Sequence, residues 1–269
     1  MTPRCASPLV AEFVETGRSA SCPVIDTHAH MGPYSRIYMP RNRAEDMIAT
    51  MDRCGIRKTF FAHHRALRDS QLGNRDAEAA IRRFPDRFGG YWAVTPLYPE
   101  RVRREAAELD RHPGFAGFKI LAAYYRVAIT DPRCKPVWER AHDEQLPVLI
   151  HTWGHDGYGD CPHVEKIAQT YGRARIVMGH AQYGDWDAGI ELARRFPNVY
   201  LELCAAYHVN GSVTRMVNAG VQDKILYGDD LPWFNPHYGI GCVLFSRISD
   251  EARHAILHEN AERVFERWL

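Results

Sequence analysis

The sequence predicts an α/β fold, a single-domain (β/α)8 TIM barrel, on three observations. Short apolar runs rich in Val, Ile and aromatic residues alternate with longer amphipathic stretches from residue 24 to the end of the 269-residue chain. Most of these runs are apolar nearly throughout, as expected when helices cover a parallel sheet and bury both its faces. There are eight of them in about 245 residues, close to a minimal barrel, whereas a doubly wound sheet more commonly has about five to seven strands.

In order, the expected strands are VIDTHAH (24–30), KTFFAHH (58–64), YWAVTP (91–96), FAGFKIL (115–121), PVLIHTW (147–153), RIVMGHA (175–181), VYLELCA (199–205) and ILYGDD (225–230). Between them lie helical patterns: RAEDMIATMDRCG, NRDAEAAIRRFPDRF, PERVRREAAELDRH, DPRCKPVWERAHDEQ, HVEKIAQTYG, DWDAGIELARRFP and, with weaker periodicity, HVNGSVTRMVNAG. The last pattern, EARHAILHENAERVFERW, spaces Ala255, Leu257, Ala261, Val264 and Phe265 for a helix that packs outside the barrel or seals its base. Residues 1–23 are expected to be a disordered or loosely docked N-terminal tail, and 24–269 the barrel. No linker, repeat or low-complexity segment calls for a second domain.

Lys+Arg 34 against Asp+Glu 33 leaves a net charge near zero, so neither nucleic acid nor an anionic membrane surface is expected as a partner. No run of 18 apolar residues is present to span a bilayer. Seven cysteines are scattered without a CxxC pair, and the first residues lack a signal-peptide apolar run. Reduced thiols and a cytoplasmic location are therefore expected.

In such a barrel the reactive groups collect at the C-terminal ends of the strands. Strand 1 ends in His28 and His30, strand 5 in His151, strand 6 in His180 and strand 8 in Asp229. His28 and His30 are two residues apart, so in an extended strand both point to one face, the lumen. Imidazole and carboxylate together suit Zn, Fe, Mn or Ni, and three or four protein ligands leave a position for water. One histidine alone would read as a hydrogen-bonded interior residue; five converging strand-end positions read as a metal centre.

The pieces IDTHAH, GFKI, LIHTW, VMGH, ILYGDD and ENAERVF, in this order and at strand-end spacing, resemble the amidohydrolase superfamily, in its amidohydrolase-related branch of metal-dependent TIM-barrel enzymes. The resemblance spans about residues 24–266 and implies a distorted barrel holding a divalent metal. Its ligand set, carried onto this chain, is His28, His30, His151 and Asp229. His180 matches the strand-6 histidine that serves as an acid/base beside one metal or ligates a second. Lys119 in GFKI matches the position of a carbamylated lysine that bridges two metals in binuclear members. One Zn2+ is the leading expectation, with Mn2+ or Fe2+ and a binuclear centre bridged by Lys119 as alternatives.

The chemistry of such a set is general. A bound divalent metal brings the pKa of its water from about 15.7 toward 7, and Asp229 could take up the proton while His180, with an unperturbed pKa near 6.5, exchanges one with substrate. Substrate contacts are expected from Arg126, which could grip a carboxylate, and from an aromatic wall of Tyr124, Tyr125, Trp153, Tyr158, Tyr183 and Trp233. His63 or His64, whichever faces the lumen, is a rim candidate. Asp230 is expected to point away from the metal, and Cys204 is a remote candidate for a nucleophile. His155, His163, His208 and His237 are expected in loops or early helix.

The leading functional expectation is a metal-dependent hydrolase whose activated water attacks the carbonyl of a small amide, lactone or ester. The alternative is a metal-dependent nonoxidative decarboxylase, or a hydratase, of an aromatic or unsaturated carboxylic acid. A noncatalytic barrel acting as a binding module is a third reading. A homodimer is the assembly that the resemblance implies, and the substrate is a small molecule.

Overall fold

A computed structural model of the chain describes residues 7–269. Eight strands, β1 (Val24–Met31), β2 (Ile56–His63), β3 (Phe88–Val94), β4 (Phe115–Ile120), β5 (Pro147–Trp153), β6 (Arg175–Tyr183), β7 (Val199–Glu202) and β8 (Ile225–Leu226), lie in that order in one parallel sheet. The sheet curls until β8 meets β1, where Thr27 donates its N–H and its hydroxyl to the Tyr227 carbonyl at 2.9 and 2.8 Å. This is a (β/α)8 barrel, with a helix or helical turns in each connection. Strands and helices occupy the expected stretches, but β7 and β8 stop after four and two residues. Their remaining residues form turns that aim side chains inward.

The core has two parts. Between strands and helices lies a large apolar layer, to which the helix Ala44–Cys54 contributes Met47, Met51 and Cys54 before Gly55, at φ 78°, ends it. Inside the barrel, Ile25, Phe60, Tyr91, Ala116, Leu149, Val177 and Leu226 converge with Ala261, Val264 and Phe265. Phe265 stacks on Phe60 with ring centroids 4.4 Å apart. The C-terminal helix therefore seals the base of the barrel, the second of the two placements the sequence allowed. The apolar base leaves the upper lumen for polar groups.

The expected N-terminal tail is docked over residues 8–16. Pro8–Thr16 is a helix capped by the Ser7 hydroxyl, which accepts from Val10 N–H, and Leu9 and Val10 are buried in the outer core. Residues 1–6 of that expected tail lie outside the described residues. Among the described residues the six cysteines are free thiols, and no helix is long and apolar enough to cross a membrane.

Candidate metal centre

The strand ends bring His28, His30, His151, His180 and Lys119 together at the C-terminal mouth, as expected. The carboxylate beside them belongs to Asp230. Its Oδ1 lies 3.1 Å from His30 Nε2 and 3.5 Å from His28 Nε2, and these three residues form one group able to hold a metal ion. Asp229 is turned away: its Oδ1 accepts from Leu231 N–H at 2.7 Å, and its Oδ2 accepts from the Tyr227 hydroxyl at 3.3 Å. The resemblance gave the ligand role to Asp229, and alternation along an extended strand turned Asp230 away. That alternation fails because β8 ends at Leu226 and Asp230 adopts a left-handed backbone, φ 60°, donating its N–H to the His28 carbonyl at 2.8 Å.

The outward ring nitrogens are tied down. His28 Nδ1 is 2.6 Å from Glu202 Oε2, His30 Nδ1 is 3.1 Å from the Ala62 carbonyl, and His180 Nδ1 is 3.1 Å from the Cys204 carbonyl. Each acceptor fixes an N–H at Nδ1, so each neutral ring presents its Nε2 lone pair inward. At His30 that lone pair meets the oxygen of Asp230, which is buried and lacks a hydrogen bond. Two acceptors face each other across 3.1 Å, an arrangement that a cation between them would satisfy. The residues present therefore fit a divalent metal.

Charge balance agrees. Burial, then the nearby Lys119, pushes His28 well below the ordinary imidazole range, and burial lowers His180 to about 4. Asp230 is also buried, which opposes ionisation, yet His28 and His30 hold it well below the usual carboxylate range. With His28 and His180 held neutral by burial, a bound cation would supply charge that keeps Asp230 ionised.

Glu202 was missed in the sequence reading. It is fully buried in LELCA at the end of β7, accepts from His180 N–H at 3.2 Å and Cys204 N–H at 2.5 Å, and orients His28. The one signal was an acid in an otherwise apolar strand. Two glycines of the quoted motifs have steric reasons: a Cβ at Gly228 would meet Glu202 Oε1 at 2.3 Å, and one at Gly179 would meet the Ile150 carbonyl at 2.8 Å.

His151 is packed on His180, its Nδ1 3.1 Å from His180 Nε2, so it joins the cluster from the side opposite His30. His180, Ala181 and Gln182 are three successive residues at positive φ, a strained end to β6 that carries His180 into the lumen. His28, His180 and Cys204 form a second group able to hold a metal. Cys204 is buried and burial raises its thiol well above the ordinary range, the reverse of an activated nucleophile. Lys119 is buried, burial lowers it to about 8, and its Nζ lies 2.8 Å from His28 Nε2.

Aromatic rings wall the mouth. Trp153 stacks on Tyr183 at 4.1 Å and on His151 at 6.0 Å, Tyr124 meets His151 edge-on, and Tyr34 meets Trp233 at 4.9 Å. His64, not His63, is the strand-2 histidine at the site; it stacks on His30 at 4.9 Å and accepts from Trp233 Nε1 at 2.7 Å. Tyr125 and Tyr158 are packing residues: the Tyr125 hydroxyl donates to the Ala66 carbonyl, and Tyr158 lies against the outer core. Arg126 is an exposed residue at φ 52° closing the turn Ala122–Tyr125, with no ion pair or side-chain hydrogen bond. The guanidinium whose charge reaches Tyr124 is Arg36, from the loop after β1, exposed and without an ion pair. A surface groove of about 970 Å3 beside Val209, Arg215 and Arg247 holds none of these groups.

A barrel with converging histidines and a carboxylate at its C-terminal mouth defines a metal-dependent TIM-barrel enzyme. The amidohydrolase family matches residues 25–267, and the chain belongs to that family. Solved structures similar to it include an uncharacterised TIM-barrel protein from Bordetella bronchiseptica (20% identity, 91% of this chain and 98% of that one, TM-score 0.77). A second is 5-carboxyvanillate decarboxylase from Novosphingobium aromaticivorans, complexed with manganese and 4-hydroxy-3-methoxy-5-nitrobenzoic acid (16%, 92% and 97%, TM-score 0.75). A third is 2,6-dihydroxybenzoate decarboxylase from Rhizobium (15%, 91% and 99%, TM-score 0.73). No curated protein sequence matches the chain.

Proposed function

We propose that this enzyme is a metal-dependent nonoxidative decarboxylase of an aromatic carboxylic acid. One observation carries the reading: the metal-competent cluster opens onto a wall of aromatic rings. The two similar decarboxylases named above support the same direction over the hydrolase expectation.

In this reading His28, His30 and Asp230 hold the ion, with His151 facing it from β5. The ion supplies positive charge that draws and polarises substrate oxygens. Manganese suits this imidazole and carboxylate set as zinc does, and it is the metal in the Novosphingobium complex. Trp153, half exposed on Tyr183, gives an aromatic ring a flat surface and excludes water from one face. An exposed arginine, Arg126 after β4 or Arg36 in the loop after β1, would meet the carboxylate as an ion pair. His180 can hold a proton at Nε2 without breaking the Nδ1–H bond to the Cys204 carbonyl, so it can pass one to or from substrate. Lys119 needs no carbamate in this scheme, because one ion needs no bridge; with that ion on His28 Nε2, the amine would give up its 2.8 Å contact there.

The test is carbon dioxide release from hydroxy- and methoxy-substituted benzoates by protein loaded with Mn2+ or Zn2+, run beside hydrolysis of amides, lactones and esters. Carbon dioxide release that disappears in Asp230→Asn supports the proposal. Hydrolysis without carbon dioxide release would restore the hydrolase reading.

A further inference from the structure

A second cluster of metal-binding side chains lies on the outer flank of the barrel, away from the mouth. Cys22, two residues before β1, is buried in the outer core rather than the lumen. His254 and His258 come from the C-terminal helical segment, 232 positions and more along the chain. One ligand atom from each of the three lies within 4.8 Å of the other two, and His254 Nδ1 is 3.0 Å from His258 Nε2.

Three further observations point to a cation there. His258 Nδ1 is buried without a hydrogen bond, 3.4 Å from Glu262 Oε1, and its Nε2 is the nitrogen that faces His254. The segment Ala255–Glu259 is a π-helical turn, an uncommon geometry that recurs at functional sites, and it sets the spacing of the two histidines. The surroundings are acidic: Glu12 is bonded to the turn that leads into Cys22, and Asp250 and Glu259 lie on the segment that carries the two histidines. Glu12 is already engaged by Ser19, Ser21 and Ala20, and Asp250 by Ser7 and Arg253, whereas Glu259 is exposed and has no ion pair.

We propose that Cys22, His254 and His258 form a zinc site that clasps the segment entering β1 to the C-terminal helix. One sulfur and two imidazoles are a borderline-soft set, which favours Zn2+ over Mn2+ or Mg2+ and leaves a fourth position for water or Glu259. Binding replaces the Cys22 thiol proton by the metal and releases it to solvent. The role is structural: the segments it joins both serve the closure between β1 and the base-sealing helix.

The test is titration of metal-free, full-length protein with Cd2+, followed by sulfur-to-cadmium charge-transfer absorption and by metal stoichiometry, in wild type, Cys22→Ser and His258→Gln. Wild type is expected to show the band. Cys22→Ser loses the part of the band that its own sulfur gives, leaving only what Cys204 gives at the mouth, and one equivalent of metal. His258→Gln, at a partly exposed position, loses the same equivalent and serves if Cys22→Ser does not fold. A wild type without the band, a band of undiminished intensity in Cys22→Ser, or unchanged stoichiometry in His258→Gln overturns the site. Either result leaves the decarboxylase reading untouched, since no mouth residue is altered.

Discussion

The mouth and the flank of this barrel each gather histidines around a sulfur or carboxylate, but they are built differently. At the mouth, His28, His30 and His180 each have Nδ1 tied to a fixed acceptor supplied by the sheet or its end: Glu202, the Ala62 carbonyl and the Cys204 carbonyl. On the flank, His254 and His258 rise from one helical segment and lean on each other, with only Glu262 behind His258. Strand ends give rigidity before a metal arrives; a helix meeting a distant cysteine gives a clasp that a metal completes. Metal removal should therefore cost activity at the mouth and stability at the flank.

The largest expected effect separates the two adjacent aspartates. Asp230→Asn should lose the mouth metal and lower turnover on the order of a thousandfold, about 4 kcal/mol in the barrier. Asp229→Asn should keep the metal, because an amide oxygen can still accept from Leu231 N–H. Metal analysis of both purified variants checks this, and loss of metal in Asp229→Asn alone would return the ligand role to Asp229. Next comes the apolar base shared by neither cluster: Phe265→Ala should cost about 3–5 kcal/mol of stability in denaturant unfolding while leaving metal content unchanged.

A smaller effect tests what holds the mouth rigid. Glu202→Gln keeps an acceptor near His28 Nδ1 but removes the charge, and metal affinity should fall about 10–100-fold. If affinity at the mouth is unchanged, the tie to Glu202 is packing alone. At the flank, chelation should lower the midpoint of thermal unfolding in wild type by a few degrees, the size expected for about 1 kcal/mol. Cys22→Ser should show no such shift.

How much of this was legible in the sequence follows from where strand geometry held. The eight strands, their parallel order and the HxH pair were readable because apolar runs and period-two alternation are local properties. Asp229 and Asp230 were exchanged because their fate depends on one positive φ at the end of a two-residue strand, set by the contact of Asp230 N–H with His28. Arg126 was singled out because it follows strand 4, whereas nothing local marked Arg36, an exposed arginine of the loop after β1. Glu202 was hidden because an acid in an apolar strand reveals its burial only once its three partners are in place. Cys22 and the His254–His258 pair could not be joined from spacing, since they lie at opposite ends of the chain.

A separate effect, read only in the pH dependence of stability, concerns a buried acid outside both clusters. Glu105, on the helix Pro99–Glu108, is 6% exposed, and burial pushes its carboxyl up to about 7, with Arg101 and Arg104 opposing weakly. A folded-state value above the unfolded one means that the native protein binds the proton more tightly. Its favourable contribution is then fully present below about 4.5 and is lost as pH rises through about 7. Glu105→Gln, which cannot ionise, should remove that slope and make the variant more stable than wild type at pH 8 by on the order of 2 kcal/mol. Unfolding free energies measured from pH 5 to 8 check the sign. Parallel curves for wild type and variant would show that Glu105 is ionised in the fold. Because Glu105 touches neither histidine cluster, any pH dependence of stability that persists in Glu105→Gln can then be sought at the mouth or the flank.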